Sequence, residues 1–320
     1  MPTAENELQI SIVVPAYNEQ DNVVPLIEAL RETLEGRAYE IIFVDDGSTD
    51  ETFERLRSCS DPQLRVIKFR RNFGQTAALD AGFKAARGRV IVPMDADLQN
   101  DPADIPKLLE KLDEGFDVVS GWRRDRKDPF SKRVISRGAN LLRKVLIHDT
   151  IHDSGCTLKA YRSECLKGLD LYGEMHRFIP ALLQWRGFRI AELPVTHHER
   201  RHGQTKYNVF RVLKGFLDMV IVSFWMNYSA RPIHLFGSLG MITTGLGLLC
   251  GLYLSIIKLM GTAIAGRPLL LLAVLLIIVG VEFIIFGVMS DILVKIYYRD
   301  QPTYNVEVEL DNSGSDGSCG

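Results

Sequence analysis

The sequence predicts an α/β domain built on a doubly wound, mostly parallel sheet, followed by an interfacial amphipathic helix and two transmembrane helices. Three observations lead there. Short apolar, β-rich runs alternate with helix-period segments through the first 200 residues, three of those runs open directly into acidic loops, and two long apolar stretches follow. Alternation of strand and helix implies parallel strands with helices on both faces of a sheet. The 320 residues are 46% hydrophobic and 24% charged. That is enough for one domain of about 200–250 residues plus an appendage, and it excludes a disordered chain, a mini-protein and a collagen-like repeat.

The first strand is expected over Gln9 to Pro15, a helix over Asn22 to Leu34, and a second strand over Glu40 to Val44. Asp46-Gly47 also reads as an ordinary turn, and Ser48 with Glu51 as a capping box for the next helix. A strand at Leu64 to Phe69, a helix at Gln75 to Ala86, a strand at Val90 to Met94, a helix at Pro102 to Glu114 and a strand at Asp117 to Ser120 follow. Residues 1–207 form the expected catalytic domain. Within 208–231, Val209 to Tyr228 mixes Phe210, Leu213 and Phe216 with Arg211, Lys214 and Asp218. This suits a helix lying on a membrane surface, with a core helix of the soluble domain as the alternative.

Residues 232–297 hold the two expected spans, about 235–257 and 269–291. Leu235 to Ile257 runs 23 residues without a charge, and Leu269 to Met289 runs 21 with only Glu282, against the roughly 20 apolar residues that cross a bilayer. Arg211, Lys214, Arg231, Lys295 and Arg299 flank the pair, while the connector carries only Lys258 and Arg267. By the bias of basic residues toward the cytoplasm, the domain and the tail at 298–320 are expected there. Met1 to Gln9 is acidic and polar and does not read as a signal peptide. Gly237, Gly240, Gly245, Gly247 and Gly251 would let helices approach closely, and Glu282 would face the other helix or another subunit, giving a homo-oligomer.

The 38 basic and 40 acidic residues leave a net charge of -2, which argues against nucleic acid as a partner. Five scattered cysteines, none in a CxxC spacing, support neither a disulfide framework nor a thiolate zinc site.

The chemistry lies in the loops that leave the first, second and fourth strands: Pro15-Ala16-Tyr17-Asn18-Glu19, Asp45-Asp46-Gly47-Ser48-Thr49-Asp50 and Asp95-Ala96-Asp97-Leu98-Gln99. Ligands of such sheets bind outside the carboxyl ends of the strands, so these loops should converge. Neither GxGxxG nor GxxxxGK[ST] occurs, so no glycine cradle holds phosphates. Instead Asp95 and Asp97, on alternate residues of a strand end, offer hard oxygen ligands to Mg²⁺ or Mn²⁺ beside a diphosphate, and Gln99 adds a neutral oxygen. Asp45 reads either as a site carboxylate or as a cap for its own loop.

These segments resemble the inverting family-2 glycosyltransferases of GT-A fold. With Arg70-Arg71-Asn72-Phe73-Gly74, Ala77, Gly82 and the Arg200 to Tyr207 run, the chain is similar to their polyprenyl-phosphate branch, which includes dolichyl-phosphate mannose synthases and bacterial undecaprenyl-phosphate glucosyltransferases. The resemblance runs from Ser11 through the second span. It implies that Pro15, Ala16, Tyr17 and Glu19 contact the nucleoside, that Asp46 holds the base, and that Ala96 lines the nucleotide pocket. It also implies that Asp95 meets the ribose and donor sugar, and that Asp97 and Gln99 bind the metal. Thr205 stands where the family usually has Ser, keeping the hydroxyl.

Trp122 to Lys144 holds nine basic residues against two acidic ones. This suits an anionic membrane surface as well as an acceptor phosphate. Arg123 and Arg137 match the family's acceptor-phosphate arginines, and Arg200 and Lys206 would close over the donor diphosphate or the acceptor phosphate. Asp153 reads either as an auxiliary base or sugar-hydroxyl contact, or as a turn aspartate before a strand. The resemblance implies transfer of a hexose, from UDP-glucose by preference and GDP-mannose as the alternative, to a polyprenyl phosphate in the bilayer. A processive polysaccharide synthase is the rival within the fold, although Gln184-Trp185-Arg186 does not match the QxxRW spacing of those enzymes. A non-catalytic transport partner is the rival outside it, opposed by the intact Asp95, Asp97 and Gln99.

Overall fold

The computed structural model describes residues 8–123, 151–169, 171, 173–198, 209–228, 231–264 and 266–297. The apolar run at the start forms strand β1 (Ile10–Ala16), buried along nearly its whole length. It lies between β2 (Tyr39–Asp45) and β4 (Val90–Pro93) and is parallel to both. β3 (Leu64–Lys68) extends the sheet beyond β2, also in parallel. All seven residues of β2 are buried, as a parallel strand covered on both faces requires.

The helices that make these crossovers follow a 3.6-residue period. In α1 (Val23–Thr33) the buried side chains are Val23, Leu26, Ile27 and Leu30, one stripe at i, i+3, i+4 and i+7. α2 (Thr52–Ser58) starts without the expected capping box. Asp50 accepts from the Thr52 amide at 3.0 Å, while the Ser48 hydroxyl accepts from the Asn18 amide at 3.0 Å. α3 (Gln75–Ala85) covers the opposite face, with Ala78 packed on Ile42 and Val44. The expected helix from Pro102 divides into a 3-10 turn, Pro102–Asp104, and α4 (Ile105–Asp113): Pro106 has no N–H for the Pro102 carbonyl, which accepts from the Ile105 amide instead.

Beyond β4 the sheet departs from the expected pattern. The strand order is β3-β2-β1-β4-β6-β5-β7, where β5 is Val118–Trp122, β6 is Lys159–Arg162 and β7 is Ile190–Pro194. β6 is antiparallel to both β4 and β5, and β7 is parallel to β5, so the sheet is mixed. The physical reason is that Lys-Ala-Tyr-Arg is four residues with a charge at each end, and its pairing partners, from Val90 to Ser120, lie far away in sequence. Two short helices, α5 (Ser163–Leu166) and α6 (Ile179–Trp185), fill the gap before β7.

The chain divides into two compact units, Met1–Ser223 and Phe224–Gly320. The break falls inside α7 (Val209–Tyr228), in which Met219 and Val222 are buried while Leu217, Val220 and Ile221 are exposed. In the second unit, α8 (Ile233–Leu259) and α9 (Pro268–Tyr297) are long and apolar enough to cross a membrane, with mean hydropathy 1.8 and 3.2. They meet along small residues. A Cβ on Gly240 would lie 2.6 Å from the Gly280 carbonyl, and one on Gly247 would lie 2.9 Å from that of Ala273. Gly245 and Gly251, also expected at a close approach, meet nothing within 4 Å. Glu282 is exposed, and Asp291 pairs with Lys295 at 3.0 Å.

α3 lies so close to β1 that a Cβ on Gly82 would sit 2.2 Å from Val13 Cγ1. Gly82→Ala should therefore cost about 1–3 kcal/mol through overpacking. A lowered thermal midpoint of the detergent-solubilised protein is the expected reading, and an unchanged one would show that α3 shifts freely.

Candidate active site

Because β2 and β4 flank β1 in parallel, the loops after all three strands emerge side by side. They enclose a cavity of about 390 Å³ lined by Pro15, Ala16, Tyr17, Glu19, Asp46, Asp95, Ala96 and Asp97, with Asn72, Gly74 and Gln75 from the start of α3 and the loop before it. Every residue the resemblance implied at the nucleotide sugar lines this one cavity. Asn72 and Gly74 belong to the Arg70 to Gly74 run that carries part of the resemblance, and Gln75, just beyond it, is a lining residue that the motifs do not mark.

The first two loops are laced together. The Ala16 carbonyl accepts from the Asp46 amide at 2.9 Å, Asn18 Oδ1 accepts from the Thr49 amide at 2.9 Å, and the Thr52 hydroxyl accepts from the Glu19 amide at 2.9 Å. Gly47 has φ +71, and a Cβ there would lie 2.4 Å from the backbone of Arg71, so only glycine lets the 70–74 loop pass. Asp46 pins that loop, accepting from the amides of Phe73 at 2.7 Å and Gly74 at 2.9 Å. Burial pushes the Asp46 carboxyl up, the two amides oppose it, and the net shift is upward. Asp45 is fully buried and accepts from the Ser48 amide at 2.9 Å, so it caps its own loop.

At the end of β4, Asp95 accepts from Gln75 Nε2 at 2.7 Å and from the Thr157 hydroxyl at 2.6 Å. Burial raises its pKa first, and the negative charge of Asp97 raises it further. Asp97 itself is 7% exposed, buried although it stands at a strand end, and Leu98 beside it takes the left-handed backbone, φ +58. The Gln99 amide donates to Asp97 at 3.2 Å, while the Gln99 carbonyl accepts from the His198 amide at 2.8 Å. His198 Nε2 in turn meets Asp101 at 3.0 Å. The donor set fits Mg²⁺ or Mn²⁺: it is hard oxygen throughout, and the mutual repulsion of Asp95 and Asp97 is what a divalent cation offsets.

On the far side of the sheet's active edge, Arg123 and Asp153 form a bidentate pair, Nε to Oδ2 at 2.7 Å and Nη2 to Oδ1 at 2.9 Å, with side chains 12% and 17% exposed. Burial acts to raise the Asp153 pKa, but the Arg123 guanidinium, with the nearby charge of Lys159, outweighs it and the carboxyl lies below the usual aspartate range. Two residues read separately from sequence are thus each other's partner. Nearby, Trp122 stacks on His152 at 4.9 Å, and His152 Nδ1 meets Glu192 at 2.7 Å. Arg137, Arg200 and Lys206 lie outside the described residues.

Residues 11–169 match the model of glycosyl transferase family 2. The chain is 42% identical over 317 residues to the dodecaprenyl-phosphate galacturonate synthase of Rhizobium johnstonii, covering 95% of this chain and 94% of that protein. It is 36% identical over 310 residues to the undecaprenyl-phosphate 4-deoxy-4-formamido-L-arabinose transferase of Edwardsiella ictaluri, covering 93% of each. Among solved structures, glucosyl-3-phosphoglycerate synthase from Mycobacterium tuberculosis, crystallised with Mn²⁺ and UDP-glucose, shares the fold with a TM-score of 0.54 at 20% identity, over 69% of this chain and 81% of that one. With α8 and α9, the chain is an integral membrane protein. It belongs to glycosyl transferase family 2, as a glycosyltransferase related to the undecaprenyl- and dodecaprenyl-phosphate sugar transferases.

Proposed function

We propose that the protein transfers a hexose, with inversion, from a nucleotide sugar to a polyprenyl phosphate at the cytoplasmic face of a bacterial inner membrane. The observation that carries this reading is the one cavity in which Asp46 from the end of β2 meets Asp95 and Asp97 from the end of β4, beside the loop that leaves β1. In it, Pro15, Ala16, Tyr17, Glu19, Asp46 and Ala96 hold the nucleoside, and Asp95 meets the ribose and sugar. Asp97 and Gln99 hold Mg²⁺ or Mn²⁺, which when bound supplies neutralisation of the diphosphate leaving group.

A lipid monophosphate has a second pKa of about 6 and is largely ionised near neutral pH, so it needs little help from a base. Positioning and charge neutralisation then dominate, and the oxygen of the phosphate displaces the nucleoside diphosphate in line at the anomeric carbon. An Asp153 held in its charged form by Arg123 is a weak base, which agrees with such a route. Arg123, Arg137, Arg200 and Lys206 are assigned to the acceptor phosphate, where guanidinium forks suit phosphate geometry. UDP-glucose is the donor expected from the resemblance. A uronate donor is the second reading, favoured by the name of the 42%-identical relative. Copies would associate through the spans, where Glu282 is exposed.

Full-length protein incubated with undecaprenyl phosphate, Mg²⁺ or Mn²⁺ and labelled nucleotide sugars should give a single lipid-linked sugar, foremost from UDP-glucose. Transfer from another donor alone would change the sugar, whereas label in extended polymer without a short lipid product would favour a processive synthase. Asp97→Asn should lower turnover on the order of 10²-fold, with thermal unfolding unchanged or slightly raised because Asp95 loses a repelling neighbour. Near wild-type, metal-dependent rates in that variant would show the metal assignment to be wrong.

A depressed carboxylate stabilises the fold at pH values above its unfolded pKa, here near 3.8, and that stability is lost as pH falls through the folded value. Asp153→Asn should therefore cost about 3 kcal/mol at pH 7, and the gap to wild type should close in unfolding experiments taken below pH 4. A gap that stayed constant with pH would mean that the pair contributes through packing rather than charge.

A further inference from the structure

Lys159 is 3% exposed, and no carboxylate lies at ion-pair distance from it among the described residues. Asp153, on the turn before β6, is engaged by Arg123. The ammonium instead donates to two backbone carbonyls, those of Cys156 and, at 3.3 Å, Ser154. Burying an ammonium costs several kcal/mol even after the protein relaxes around it, and an apolar side chain of the same length would fill this place without that cost. The two carbonyls belong to the turn at 153–157, which the Cys156 amide also closes on the Asp153 carbonyl at 3.4 Å. One end of the turn carries Asp153, which orients Arg123. The other carries Thr157, whose hydroxyl orients Asp95.

We infer that Lys159 is a positioning residue for sugar transfer: by tying down the 153–157 turn, its ammonium sets the donor-side carboxylate Asp95 through Thr157 and the acceptor-side Arg123 through Asp153. The inference rests on the proposed transfer reaction. It assigns Lys159 no contact with either substrate. Its effect is on geometry at two places that must be correct together, where a displacement of about 1 Å can cost on the order of 10²-fold in rate.

The test uses the full-length protein with the labelled donor it accepts and undecaprenyl phosphate. Lys159→Met should lower kcat on the order of 10²-fold with the KM values for donor and lipid nearly unchanged in the folded protein. In a Thr157→Val background the same substitution should cost less than it does alone, because the donor-side link is already cut and only the Asp153–Arg123 link remains to be lost. Wild-type kcat in Lys159→Met, or losses that simply multiply in the double variant, would overturn the inference while leaving the transfer reaction intact. A wild-type protein that makes no lipid-linked sugar from any donor overturns both. If Lys159→Met does not fold, Lys159→Gln takes its place: a 10-fold or greater loss of kcat, roughly the scale of a misplaced reacting group, with KM values nearly unchanged supports the inference, and undiminished turnover rejects it.

Discussion

The position of β1 between two parallel neighbours is the constraint on which the rest depends. Its register places Ala16 beside Asp45 on one side and Val13 beside Pro93 on the other. The first residues free of the ladder are therefore Tyr17, Asp46 and the Met94-Asp95 pair, at one edge of the sheet. Each parallel pairing needs a crossover helix, and those helices bury the strands on both faces. The polar chemistry is thereby expelled from the interior and concentrated at the strand ends.

Concentrating four aspartates there is costly, and the structure meets the cost mostly with neutral donors. Backbone amides serve Asp45 and Asp46, while Gln75 and Thr157 serve Asp95. Such donors orient a carboxylate without cancelling its charge, so the upward shifts at Asp46 and Asp95 remain. That is the electrostatic setting in which a bound cation gains most. Across the edge, Asp153 is met by a full guanidinium and shifts the other way. One side of the site retains negative charge, and the other offers an arginine whose charge is already balanced until an anion competes for it.

What was legible in the sequence follows from this layout. β1, β2 and β4 could be read because apolar runs of four to seven residues stop abruptly at acids, and α1 and α4 because their buried positions recur every three or four residues. β6 could not be read from its four residues. Nor could the Arg123–Asp153 pair, whose members stand 30 residues apart with no local pattern linking them. The burial of Asp97 is not legible because composition marks DADLQ as a polar loop, and the left-handed backbone at Leu98 beside it has no signature in that composition. In α8 the glycines were visible, but only helical phase separates Gly240 and Gly247, which face α9, from Gly245 and Gly251, which do not.

The antiparallel strand that the sequence did not reveal also explains how the second half of the domain reaches the site. β5 runs parallel to β4, since each is antiparallel to β6 between them, so β5 delivers Arg123 to the same edge as Asp95. A strand parallel to both would begin at the opposite edge, and the turn before it would be a full strand length from the carboxylates. Because β6 runs the other way, its first residue, Lys159, lies at the active edge, and the turn at 153–157 is brought against the ends of β4 and β5 together. Thr157 can then reach Asp95 and Asp153 can reach Arg123 over hydrogen-bond distances. Reversal of one short strand converts a connection between two half-sheets into the link between the two sides of the site.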